Sequence, residues 1–210
     1  PVNTIKIDQS FVRDMLDDPN DYAIIDGIIG LADSFNRDVI AEGVETTEHG
    51  LMLMMMHCKE AQGYGIAKPM PANEFSQWLK DYTPNQEWLD CGKQHRSSRE
   101  NKIKLFSLIS NHWKDKFIIN IQSHSDAIEF WPIMDKEHCP CGAWIKRAKQ
   151  EALFEKENLN QLGQAHNEFH LIVHALLLQY QKGEIESVIE GIEALQSAFE
   201  GMSNILGYSE

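Results

Sequence analysis

The chain has 210 residues, 32 of them acidic and 19 basic, and its formal charge of -13 makes nucleic acid and anionic membranes poor partners. No apolar run reaches the roughly 18 residues that a membrane-spanning helix needs. Four cysteines are too few and too scattered for a disulfide scaffold. This cysteine usage favours a reduced cytoplasm, where a cysteine that accompanies several histidines is more often a metal ligand.

Short strands alternate with helices over about the first 80 residues. The pattern predicts strands at residues 4–8, 38–44 and 61–65, each followed by a helix. Three consecutive βα units imply a parallel sheet or barrel. A lone three-stranded parallel sheet leaves two open edges, and a complete βα barrel has eight units in about 250 residues. We therefore expect residues 1–82 to be the last three βα units of a TIM-like barrel.

After residue 82 the alternation of short strands and helices ends. Residues 83–101 carry Pro, Gly, Ser and mixed charge without periodicity, which predicts a linker. From residue 102 to 210 the apolar residues keep helical spacing, and Pro132 and the CPCG sequence at 139–142 interrupt the helices. The predicted fold class is thus α/β followed by an all-α four-helix bundle.

Histidines and cysteines in the helical region have the spacing of a metal site. His166 and His170 lie four apart on one predicted helix, so both rings project from the same face. His112 precedes Cys139 by 27 positions, and Cys139 precedes His166 by the same number. Antiparallel helices of that length return to the same height, which allows the four residues to meet. Zinc prefers four such nitrogen and sulfur ligands, so the sequence predicts a closed zinc site.

Other ligand choices remain open from the sequence alone. His174 forms a second pair of the same spacing with His170, Cys141 could replace Cys139, and His138 could compete. An isolated pair of histidines four apart is more often structural than metal-binding.

The helical region resembles the chemoreceptor zinc-binding (CZB) domain family from about His112 to the end. The resemblance rests on His112 beside Trp113, on the CPCGAW sequence at 139–144, and on the HNEFH sequence at 166–170. It implies zinc bound by His112, Cys139 and the two later histidines, cytoplasmic sensing of zinc or oxidants, and a homodimer formed through the bundle. The chain departs from the family at Cys141, where an apolar residue is usual, and its aromatic residue after His112 comes one position early.

Polar residues stand at the ends of the predicted strands. Lys6 and Asp8 end the first, Glu42 and Glu45 follow the second, and Gln62 lies at the third. Chemistry in α/β barrels is placed at these carboxyl ends. A lysine, carboxylates and an amide would suit hydrolysis of a phosphodiester with divalent cations. Glu45 could instead be a helix N-terminal residue, and Asp8 could bond within a turn.

Three motifs sharpen this interpretation: KIDQSFV at 6–12, AEGVET at 41–46 and QGYGIAKPMP at 62–71. Together they resemble the EAL-domain cyclic di-GMP phosphodiesterases. The resemblance implies cyclic di-GMP as substrate and Mg²⁺ or Mn²⁺ as cofactor. It also implies a catalytic role for Lys6, metal or water binding by Glu42, support of the loop by Glu45, and a polar contact to substrate and metal by Gln62.

The family's remaining metal ligands fall outside these motifs, so we do not expect this chain to hydrolyse cyclic di-GMP alone. The main hypothesis is a fragment of a bacterial phosphodiesterase controlled by a zinc- or oxidant-sensing bundle. The alternatives are a non-catalytic cyclic di-GMP receptor and a dimerisation module with a structural zinc.

Overall fold

A computed structural model describes residues 3–123 and 131–207 and divides the chain into two compact units, residues 1–105 and 106–210. Within the described residues, no helix is both long and apolar enough to cross a membrane. The elements in chain order are β1 (Thr4–Ile7), α1 (Gln9–Asp14), α2 (Pro19–Ser34), β2 (Asp38–Glu42), α3 (Thr47–Met55), β3 (Glu60–Gln62), α4 (Ala72–Asp81), α5 (Gln86–Lys93), α6 (Ser98–Gln122), α7 (Pro140–Gln150), α8 (Lys156–Gln181) and α9 (Ile185–Asn204).

The first unit contains a parallel sheet in the order β1-β2-β3. Lys6 pairs with Ile40 across the first ladder, and Glu42 pairs with Gln62 across the second. Apolar side chains from the strands and from the helices between them are fully buried, among them Ile7, Ala41, Val12, Ile25 and Met52. The predicted small parallel α/β sheet is therefore confirmed.

Side-chain caps mark the start of several helices of this unit. The Asp8 carboxylate accepts hydrogen bonds from Ser10 N at 2.8 Å and from Ser10 Oγ at 2.7 Å. These bonds lower the pKa of Asp8, because they favour its charged form. Thr46 Oγ1 accepts from His49 N at 3.2 Å at the start of α3. Asp8 is thus an N-cap, which agrees with the turn interpretation of this residue.

The segment predicted as an irregular linker contains a helix, α5. Asn85 caps α5 by accepting from Trp88 N at 3.1 Å, and the Trp88 indole donates to the Thr47 carbonyl at 2.8 Å. Gly50 leaves the space for this contact, since a Cβ atom there would overlap the Trp88 ring. The helix has only two turns, too few to give a clear apolar period, and α6 already begins at Ser98. The sequence did not indicate this helix, and the role of residues 83–101 as a linker remains a prediction.

The described helices of the second unit share an aromatic core. The rings of Phe106 and Trp144 lie 4.7 Å apart between α6 and α7. The Trp113 and Phe169 rings lie 5.5 Å apart between α6 and α8, and Phe169 meets Phe199 of α9 at 6.2 Å. These contacts hold the described parts of the four helices around one buried interior.

Candidate strand-end site and candidate metal centre

The carboxyl ends of the three parallel strands bring together Lys6, Glu42 and Gln62, which we call the strand-end site. The Lys6 ammonium forms an ion pair with Glu42 Oε1. Gln62 Nε2 donates a hydrogen bond to the same Glu42 oxygen at 3.3 Å. Because parallel strands end at one edge of the sheet, three of the four predicted catalytic residues meet there.

Glycines allow the loop after β2 to lie close to its neighbours. Gly43 has a positive φ of 80°, and a Cβ atom there would stand 2.6 Å from Cβ of Gln9. A larger residue would be both strained and crowded at this position. The glycine of the AEGVET motif therefore lets the chain turn sharply directly after Glu42.

The QGYGIAKPMP motif at 62–71 forms backbone hydrogen bonds with the loop after β2. Val44 N donates to the Gln62 carbonyl at 3.0 Å, and Gly65 N donates to the Val44 carbonyl at 2.9 Å. A Cβ atom on Gly63 would overlap the Val44 backbone. These contacts join the ends of β2 and β3 and hold Gln62 beside Glu42.

The described contacts of Glu45 are with residues outside the strand-end site. Its side chain is exposed, and its charge helps Asp14 to raise the pKa of Arg13, with the Asp14 hydrogen bond as the larger cause. Its backbone N lies 3.5 Å from Nδ1 of the buried His49. The structure thus places Glu45 on the loop that leads into α3, where its catalytic role remains a prediction.

The strand-end site does not form a cation site with the described residues alone. Its single carboxylate, on Glu42, is already paired with Lys6. The one group of three potential metal ligands within the described part of the chain lies elsewhere. Mg²⁺ demands near-octahedral oxygen coordination, so a divalent cation here would need further oxygen ligands.

That other group of potential ligands is formed by Cys139, His166 and His170, which we call the Cys/His cluster. Cys139 Sγ lies 3.2 Å from His166 Nε2 and 3.4 Å from His170 Nε2. The three ligand atoms lie within 4.8 Å of one another, and all three residues are buried. Three of the four predicted zinc ligands therefore converge.

The remaining histidines differ in position. His112 is only partly buried on α6 and is not one of the three clustered residues, so its role as a ligand remains a prediction. Its neighbour Trp113 does reach the site, with ring centroids 5.4 Å from His170. His174 is exposed and its ring lies 6.5 Å from that of His170. The geometry favours the 166/170 pair over the 170/174 pair.

The CPCG sequence sets Cys139 at the start of α7. Cys139 is the N-cap, Pro140 takes the first helical position, and Cys139 Sγ accepts from Gly142 N at 3.2 Å. A Cβ atom on Gly142 would overlap the carbonyl oxygen of Lys136. Glycine is therefore required for the preceding turn to fold over the helix start and enclose the sulfur.

Cys141 provides a second buried sulfur beside the cluster. Its thiol is hydrogen-bonded to the Cys139 sulfur and to Ser110 of α6. The Cys141 hydrogen bond, with further help from His166 and His170, lowers the pKa of Cys139 to about 3 against the opposing effect of burial. The hydrogen bond to Cys139, together with burial, raises the pKa of Cys141. The site thus favours one thiolate and one thiol.

The chemistry of the Cys/His cluster fits zinc. One thiolate and two imidazoles are characteristic zinc ligands. In addition, His170 Nδ1 is buried and has no hydrogen-bond partner within the described part of the chain. This atom is the ring nitrogen other than the Nε2 that lies 3.4 Å from Cys139 Sγ, so a cation held between these ligand atoms would leave it unpaired.

Comparison with known proteins gives matches for the first unit. Residues 1–69 match the EAL domain family. The oxygen sensor protein DosP of Escherichia coli is 42% identical over 84 residues, which are 40% of this chain and 10% of DosP. Cyclic di-GMP phosphodiesterase PdeR of E. coli is 42% identical over 82 residues, 39% of this chain and 12% of PdeR. Cyclic di-GMP phosphodiesterase PA2567 of Pseudomonas aeruginosa is 40% identical over 80 residues, 38% of this chain and 14% of that protein. The chain therefore spans only 10–14% of the length of these relatives, and its likeness to them lies in the first unit.

Proposed function

We propose that this chain is part of a bacterial signalling protein that hydrolyses cyclic di-GMP in an EAL barrel under the control of a zinc-binding helical unit. The observation that carries the proposal is the meeting of Lys6, Glu42 and Gln62 at the strand ends of a segment that matches the EAL domain. The printed names of two similar proteins, PdeR and PA2567, describe cyclic di-GMP phosphodiesterases.

Each residue of the strand-end site has a distinct role in this proposal. The Lys6 ammonium stabilises negative charge that develops near the attacked phosphate. Glu42 orients the attacking water through its carboxylate, and the Gln62 amide holds that carboxylate in place. The Mg²⁺ or Mn²⁺ ions of the EAL family would require carboxylates additional to Glu42. For this reason we do not expect the 210-residue chain to hydrolyse cyclic di-GMP by itself.

The Cys/His cluster supports the second half of the proposal. Cys139, His166 and His170 would hold zinc, and His112 would complete the set if its side chain turned toward them. Zinc would cross-link the start of α7 to the middle of α8, so its binding free energy would also be folding free energy of this unit. The resemblance to the CZB family supports a sensory role, in which the state of the metal alters the activity of the barrel.

A homodimer through the helical unit is part of the same proposal. Three large apolar side chains on α8 and α9 are more than half exposed: Leu171 at 70%, Leu178 at 58% and Ile189 at 55%. Leu171 and Leu178 are seven residues apart and thus share one helix face. This apolar face also favours the second candidate function, a dimerisation module whose zinc is only structural.

The test uses the protein that contains this chain together with the rest of its EAL domain. We expect hydrolysis of cyclic di-GMP to be lost in Glu42→Gln, and its rate to change when zinc is removed with a chelator. Binding of cyclic di-GMP without hydrolysis by the unaltered protein would support the receptor alternative instead. An unchanged rate after zinc removal would support the alternative in which the zinc is only structural. Magnesium-dependent hydrolysis by the isolated chain, abolished by Glu42→Ala, would contradict our statement that the divalent cations require carboxylates additional to Glu42.

A further inference from the structure

The helix α5 is attached to the first turn of α3 by two side-chain hydrogen bonds. Asn85 Nδ2 donates to Thr47 Oγ1 at 2.9 Å, and the Trp88 indole donates to the Thr47 carbonyl at 2.8 Å. The Trp88 ring also covers Gly50 so closely that a Cβ atom there would overlap it. Thr47 is thus held by residues that lie 38 and 41 positions further along the chain.

Thr47 directly follows the loop that leaves the strand-end site. This loop, residues 43–46, begins after Glu42 at the end of β2 and leads to Thr47, the first residue of α3. Near the start of the loop, the backbone of the buried Val44 is hydrogen-bonded to the QGYGIAKPMP motif. Glu45 therefore lies between two attachments, one to that motif at Val44 and one to α5 at Thr47.

The contacts of Glu45 itself are weak. Its side chain is exposed, and its backbone N lies 3.5 Å from Nδ1 of His49, which is long for a hydrogen bond. The chain on either side of Glu45 therefore has the larger part in setting the direction of its carboxylate. On one of these sides, that chain is held by α5.

We propose that α5 fixes the loop after β2 through Thr47, and that Asn85 and Trp88 are thereby positioning residues for hydrolysis at the strand-end site. The effect on hydrolysis rests on the function proposed above and on the predicted role of Glu45. The attachment of the loop to α5 rests on neither.

This attachment can be removed without removing either helix. A helical carbonyl such as that of Thr47 also accepts from the amide four residues later, so α3 keeps its own hydrogen bonds when the indole is lost. Trp88→Phe retains an aromatic ring over Gly50 and removes the N–H donor. Thr47→Val keeps the branched shape and removes the hydroxyl acceptor. Asn85 still caps α5 in both variants, because its Oδ1 accepts from a backbone N of that helix.

Amide hydrogen exchange of the 210-residue chain tests the attachment. The double variant, Trp88→Phe with Thr47→Val, should exchange faster than the unaltered chain over residues 44–50 and at the same rate over α2. Glu87→Gln is the matched control, because it changes an exposed residue of the same helix α5. Equal exchange over residues 44–50 in the double variant and in this control would overturn the attachment.

Kinetics of the protein that contains this chain together with the rest of its EAL domain test the effect on the site. We expect the double variant to lower kcat for cyclic di-GMP about ten-fold with little change in KM, because a positioning group is displaced while substrate binding is kept. Glu45→Gln should also lower kcat, and the double variant should then have little further effect in the Glu45→Gln background. An unchanged kcat in the double variant, or a loss that is equally large with and without the Glu45 carboxylate, would overturn the inference.

Failure of this inference differs from failure of the proposed function. Full hydrolysis by Glu45→Gln would contradict the positioning role of α5 and leave the phosphodiesterase function intact. Absence of hydrolysis by the unaltered larger protein would contradict the phosphodiesterase function and, with it, the positioning role. In that case the exchange experiment still decides whether α5 holds the loop.

Discussion

Cys139 Sγ lies 3.2 Å from Nε2 of His166, although the two residues are 27 positions apart in the sequence. The contact joins the N-cap of α7 to the middle of α8. It therefore links the Cys/His cluster directly to the local structure at the start of α7, and changes at that helix start should affect the proposed zinc binding.

Gly142→Ala should destabilise the second unit, because the new Cβ would overlap the Lys136 carbonyl oxygen. We expect a loss of about 1–3 kcal/mol in the free energy of unfolding, together with weaker zinc binding. Urea denaturation and a zinc competition assay measure the two effects. Gly201→Ala is the matched control, since nothing lies within 4 Å of its Cβ position in α9. This control should be stabilising by up to about 1 kcal/mol, and equal behaviour of the two variants would contradict the proposed role of Gly142.

Gly50→Ala should disturb the docking of α5 on α3, because the added Cβ would overlap the Trp88 ring. We expect a loss of about 1–3 kcal/mol in the free energy of unfolding and a shift of tryptophan fluorescence toward that of a solvated ring. The same change made in a Trp88→Ala background should cost much less, because the clash is gone. Gly30→Ala, which has open space around its Cβ position, serves as the control. A Gly50→Ala cost that is independent of Trp88 would show that α5 does not dock in this way.

Glu42→Gln should change stability little in spite of the ion pair with Lys6. The Lys6 side chain is 59% exposed, and solvent-exposed pairs contribute at most about 1 kcal/mol. Thermal unfolding of the 210-residue chain measures this effect, with Lys6→Met as the companion variant. A loss of several kcal/mol would mean that the residue is needed for folding, and the loss of hydrolysis expected in the larger protein could then no longer be assigned to catalysis.

The metal-free protein should contain a thiolate at neutral pH. The pKa of Cys139 is lowered to about 3, so its charged form persists as the pH falls toward about 4. Burial raises the pKa of Cys58, and the hydrogen bond to Cys139 together with burial raises that of Cys141, so both stay protonated at neutral pH. The ultraviolet absorbance of thiolate, compared between the unaltered chain and Cys139→Ala, measures the difference. A difference that develops only at alkaline pH would contradict the lowered pKa.

Much of the strand-end site was predictable because a parallel sheet brings the ends of its strands to one edge. Lys6, Glu42 and Gln62 could be placed together from the strand positions alone. Glu45 could not, because its direction depends on the turn at Gly43, whose positive φ redirects the chain directly after β2. The helix α5 was missed for a similar reason, since its docking depends on the Trp88–Thr47 hydrogen bond between residues 41 positions apart.

The Cys/His cluster was predictable in its helical part and less so around its cysteines. A spacing of four residues fixes the relative direction of His166 and His170 on one helix. The sequence left Cys139 and Cys141 as alternatives, because it does not show where α7 begins. The distances from Cys139 Sγ to the two histidine nitrogens, 3.2 and 3.4 Å, favour Cys139 in this structure. The contact of Cys141 with Ser110 of α6 depends on packing between helices.

The zinc content of the purified 210-residue chain tests the metal centre most directly. Elemental analysis should find about one zinc ion per chain in the unaltered protein and in Cys141→Ala, and almost none in Cys139→Ala. Full zinc in Cys139→Ala, or loss of zinc only in Cys141→Ala, would contradict the assignment of Cys139 as the ligand.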